Sequence, residues 1–176
     1  MALSQDRPRT VLPFLPRENT PVTVVISYHG KPVDFGKPFS AASDWVRDLR
    51  FTIKNISPKP ITRMELHLMI YKPLIGMTFL FPGNLVGGDK PPERPIVGPH
   101  WLFPGEEVTL IPEPRILSAV EESKGVKLAD LDTIGLSVHQ ITYNDKTDWW
   151  QGFDRYIDAD GNYHMSKPVP AKTPQQ

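Results

Sequence analysis

The stretch "LRFTIKNISPKPITRMELHLMI", residues 49–70, constrains the fold more than any other part of the chain. Leu49, Phe51 and Ile53 alternate with Arg50, Thr52 and Lys54, and after a turn Met64, Leu66, Leu68 and Ile70 alternate with Arg63, Glu65, His67 and Met69. Only an extended chain sends every second side chain to the same side; a helix would scatter this pattern around its axis. Between the two runs lie Asn55, Ser57, Pro58 and Pro60, all turn formers. The pattern predicts two antiparallel strands with one apolar face on a core and one face in water.

Other segments read the same way. Val22, Val24, Ile26 and Tyr28 share one face of a strand over 22–28, closed by Gly30. Residues 106–111 and 133–143 are further strands; "NDKT" then turns the chain into a partner strand over 148–157, and "DADGN" is another tight turn. Ile116, Leu117 and Val120, at helical spacing before Gly125, predict one short helix over 114–123. The Pro/Gly-rich excursion over 72–105 leaves room for a short strand at 76–81. Twenty of the 176 residues are proline, roughly twice the ordinary usage of about 5%. Proline is excluded from helix interiors and central strands, so this abundance favours short elements joined by stiff connections. The expected architecture is all-β: an antiparallel sandwich of about seven strands with one short helix between late strands. It occupies a single domain over 22–165, with an extended segment at 1–21 and a linker-like tail at 166–176.

Composition removes several classes of function. Twenty basic and twenty acidic residues leave a formal charge of zero, which argues against a nucleic-acid footprint. No cysteine occurs, so disulfides and thiolate metal sites are excluded. No apolar run reaches the ~18 residues that a spanning helix needs, and the first residues carry no apolar core of a signal peptide. Those residues leave two readings open: a cytoplasmic protein, or a mature form with an initiator Met added.

The strand ending in Asn55-x-Ser57, the return strand after it, and Pro104-Gly105-Glu106 leading a later strand resemble bacterial immunoglobulin-like domains of the fibronectin-III type. The matching positions cover about a third of the chain and are turn chemistry. The helix at 114–123 and the excursion at 72–105 depart from that family. The resemblance implies a non-catalytic accessory or binding module of an extracellular or cell-envelope protein.

Candidate chemistry is sparse. Asp154, Asp158, Asp160 and Asn162 around Gly161 suggest a calcium loop. If Gly161 were the sixth position of an EF-hand, Tyr156 would be the first and Lys167 the twelfth, where acids are required. That leaves a looser calcium site against a plain hairpin turn in which Asp-Gly and Asn accept positive φ. No other cofactor is expected. Adjacent Trp149 and Trp150 must face opposite sides of a strand; one of them, with Trp101 from the excursion, is the candidate platform for a glycan. His29, His67, His100, His139 and His164 show no i, i+4 pair and no His-x-His. His67 and His139 fall on the solvent faces of two strands, and a zinc site would need three such ligands to converge. Asn55-Ile56-Ser57 is formally a glycosylation acceptor. No Gly-x-Ser-x-Gly and no phosphate-binding glycine loop occurs. A hydrolase using Asp154 or Asp158 with His164 is the least supported reading. The leading expectation is a non-enzymatic domain acting through a protein partner or self-association, in which Val11, Leu12, Phe14 and Leu15 of the apolar N-terminal segment dock by strand addition.

Overall fold

A computed structural model describes residues 6–13, 19–70, 85–87 and 102–166. The chain is mostly β, in two sheets with few helices. Twelve strands are described rather than about seven: β1 Arg7–Pro13, β2 Val22–Tyr28, β3 Lys31–Val33, β4 Phe39–Ala41, β5 Leu49–Asn55, β6 Ile61–Ile70, β7 Leu85–Gly87, β8 Glu107–Pro112, β9 Thr133–Tyr143, β10 Asp148–Trp150, β11 Phe153–Ile157 and β12 Tyr163–Ser166. Four of the twelve span only three residues, too short for an alternation to be read. None of the described helices is long and apolar enough to cross a membrane. The expected strand at 76–81 lies outside the described residues.

One sheet runs β3-β2-β5-β8-β7, all antiparallel. Its inner face carries Ile26, Leu49, Phe51, Ile53 and Leu110, the side predicted from the alternation. The other runs β12-β11-β10-β9-β1-β4, with β6 on the opposite edge of β9. Its inner residues, among them Val11, Met64, Leu66, Leu68, Ile134, Leu136, Ile141 and Trp149, join the same buried cluster. Burying both apolar faces in one core is the dominant favourable term in such a fold. Helix α2, Pro114–Lys124, starts on proline at a position where the missing N–H costs nothing and ends on Gly125 at φ 60°. Its Leu117 and Val120 close one flank of the core.

Two expectations change. The segment expected outside the domain supplies β1, which pairs parallel with β9 (Thr10–Pro13 on Thr133–Leu136) and antiparallel with β4. The sheet is therefore mixed. Val11 is fully buried in its own chain's core and is not free to dock elsewhere; Leu12 is half-buried in the same strand, and Phe14 and Leu15 lie outside the described residues. Arg9 fixes the placement: at 1% exposure it donates to the Leu131 carbonyl, to Asp132 Oδ1 at 2.9 Å and to the Ala129 carbonyl at 3.1 Å. Trp45, in the four-residue helix α1 (Trp45–Asp48), donates from Nε1 to the same Leu131 carbonyl at 3.0 Å. Secondly, 148–157 is a hairpin rather than one strand. Gln151 and Gly152 sit at φ 48° and 92° between the Trp150–Phe153 pair, the two left-handed residues that a two-residue hairpin loop requires.

Candidate functional site

The outer face of the mixed sheet gathers the polar and aromatic side chains. Glu65 and His67 stand two residues apart on β6, so they share a face. Opposite them β9 is irregular: Glu65 pairs with Gln140 but Leu66 pairs with Val138, leaving His139 as an inserted residue. Such a bulge re-aims a side chain and switches the strand's parity. Ile134 and Leu136 face the core before it, and Ile141 and Tyr143 after it. His139 consequently turns outward and stacks on His67, ring centroids 4.2 Å apart and planes at 21°.

Glu65, His67 and His139 each offer a ligand atom within 4.8 Å of the other two. His67 is buried at 4% exposure although it lies on the side predicted to be wet. Burial first, and the neighbouring His139 second, hold its pKa below the usual imidazole value, while Glu65 pulls the other way. Its ring is accordingly biased to the neutral form. Glu65 is paired with exposed Arg63. His139 is held from both ends: Trp150 Nε1 donates to its Nε2 at 3.3 Å, and the Gln151 amide lies 2.9 Å from its Nδ1. An indole N–H can only donate, so His139 Nε2 accepts; the Gln151 atom beside Nδ1 is its amide nitrogen, Nε2.

The face continues across β10, β11 and β12. The Arg155 guanidinium lies over the Trp150 ring at 5.4 Å and donates to Asp148 Oδ2 at 2.8 Å, which also accepts from Gln140 Nε2 at 2.8 Å. Met165 stands opposite Arg155 on β12 with 53% exposure. His67, His139, Trp150, Arg155 and Met165 thus form one band across five strands.

The remaining sequence candidates are dispersed. Trp149 faces inward at 1% exposure, which removes it from any glycan platform; Trp150 is the outward one, and Trp101 lies outside the described residues. Asp158 closes the β11–β12 turn: its Oδ1 accepts from the backbone N–H groups of Asp160 and Asn162, and its Oδ2 from Asn162 Nδ2 and His164 Nε2. The His164 bond, then the Asn162 N–H, hold its pKa down at about 2. Asp154 sits about 13 Å along the chain from Asp158 at strand rise, opposite Trp149 on β10, and burial raises its pKa against the pull of Lys59. The four calcium candidates are therefore a turn plus a distant strand residue. Of the hydrolase set, Asp158 and His164 meet, Nε2 to Oδ2 at 2.6 Å, while Asp154 stands apart. Asn55 is fully buried and its Nδ2 donates to the Lys59 and Leu102 carbonyls, so the formal glycosylation acceptor is closed.

The His67–His139 meeting depended on the bulge. The one sequence signal for it is the parity switch along β9, where inward residues 134, 136 and 138 give way to 141 and 143. Compared with protein-family models, curated proteins and solved structures, the chain matches none.

Proposed function

We propose that the chain is an immunoglobulin-like β-sandwich that works without catalysis, through protein contacts on the outer face of its mixed sheet. In this reading it is an accessory module or a subunit of an extracellular or cell-envelope assembly. The observation that carries it is the band in which Arg155 covers Trp150 and leads to exposed Met165. Trp, Arg and Met are the residue types over-represented where proteins meet, and a rigid aromatic anchored by neighbours loses little entropy on contact. The adjacent β12 is the outermost described strand of its sheet, so it offers unpaired backbone groups beside the band. A second copy presenting the same edge and the same band completes both at once in a two-fold arrangement. Light scattering on the purified full chain tests this. A dimer mass that falls to the monomer in Met165→Glu supports it. A monomer across the micromolar to millimolar range for the native chain defeats it.

A further inference from the structure

We propose that Glu65, His67 and His139 bind a divalent transition-metal ion of the zinc class. This goes beyond the contact reading and does not depend on it.

The donor set decides the class. Two imidazoles and one carboxylate suit zinc and its neighbours cobalt, nickel and copper, whereas calcium and magnesium take oxygen ligands. Three protein ligands with a fourth position left to water or a partner's side chain is an arrangement zinc uses repeatedly. The separations are compatible: with ligand atoms within 4.8 Å of one another, the stacked imidazoles reach a shared ion at about 2.0–2.2 Å once their ring planes turn toward it.

The surroundings are those of a metal site in three respects. His67 is buried with its ring stacked on the second imidazole, centroids 4.2 Å apart, so two ring donors already share one spot on the sheet. Gln151 Nε2, 2.9 Å from Nδ1 of His139, is an outer contact of the kind that holds a ligating histidine's ring in place. His139 Nε2 takes only a long bond from Trp150, 3.3 Å, and Glu65 is paired with the exposed Arg63. The backbone is also set in advance: the bulge fixes His139 between strands rather than on a loop, so little ordering is left for the ion to impose.

The test uses the full chain, stripped with a chelator and titrated with zinc chloride by calorimetry. One equivalent should bind. His139→Ala and Glu65→Gln should each weaken binding roughly 100-fold, and Gln151→Ala about 10-fold, in line with the cost of losing an outer contact. Calcium chloride should neither bind nor compete. Both ligand variants lie on the half-buried side of the cluster, so unchanged circular dichroism and thermal midpoints will separate lost affinity from lost fold; His67→Ala is the riskier variant. The proposal is overturned if zinc does not saturate the native chain at millimolar concentration. It is equally overturned if binding survives His139→Ala and Glu65→Gln but disappears in His164→Ala, which would put the ion on the exposed β11–β12 turn.

Discussion

Two turns of this molecule are built on the same chemistry and sit in opposite surroundings. Between β5 and β6, Asn55 accepts at Oδ1 from the Ser57 N–H and hydroxyl and donates from Nδ2 to the Lys59 and Leu102 carbonyls. Between β11 and β12, Asp158 likewise accepts four hydrogen bonds, from Asp160, from two groups of Asn162 and from His164. The first is at 0% exposure; at the second, His164 is open to solvent. In water a lost partner is replaced by solvent, whereas in the core it leaves an orphan. Two turns of equal bond count should therefore differ widely in what they contribute to stability.

The largest expected effect is at the buried turn. Asn55→Ala strands the Ser57 N–H and leaves the Lys59 and Leu102 carbonyls with one donor each, Ser57 Oγ and the Ile61 N–H, and should cost about 1–3 kcal/mol of unfolding free energy in urea titrations. A loss near zero would erase the contrast between the two turns.

Tyr143, beside the buried turn, sharpens the comparison. Burial first and Asp154 second push its phenol up to about 12, while a hydrogen bond with Ser57 works in the opposite sense. A raised folded pKa contributes stability that is whole below the unfolded value and disappears as pH rises through the folded one. The loss should fall between about pH 10 and 12, on the order of 2 kcal/mol. Tyr143→Phe should remove that slope from the pH profile of unfolding.

The smallest effect belongs to the exposed turn. His164→Ala should let the Asp158 carboxyl rise from about 2 toward the ordinary carboxylate range, seen as a shifted NMR titration of its side chain. The thermal midpoint at neutral pH should fall only slightly, because solvent takes the place of the lost partner. A depressed carboxyl contributes stability above its unfolded pKa, so in the native chain that contribution is lost only as pH falls from about 4 to 2.

The same pair of turns explains what the sequence could and could not disclose. Long strands were legible to the residue: 22–28 and 133–143 coincide with β2 and β9, and the helix at 114–123 extends by one residue to Lys124. Turn chemistry was legible as turns but imitated sites, because the Asp and Asn side chains that cap a turn are those that would hold calcium or accept a sugar. β1 was hidden by its prolines: Pro8 and Pro13 argue against a strand enclosed between two others, and only the three acceptors of buried Arg9 reveal why it lies there. The outward half of β6 failed differently. His67 and Met69 sit on the side that period two assigns to water, yet both are buried, and periodicity cannot see a second covered face. The Glu65–His67–His139 cluster needed one inserted residue in β9, which a local pattern registers only as a slip.

The placement of β1 also has a consequence for biosynthesis. Its parallel partner, Thr133–Leu136, follows about 120 residues later, so at ordinary translation speeds of about 5–20 residues per second the nascent strand waits roughly 6–25 s for it. Throughout that interval Val11 has no core to enter. The emerging polypeptide must keep a half-paired strand from joining its neighbours on the polysome, and a ribosome stalled before residue 133 would release a product whose first strand has only β4 beside it.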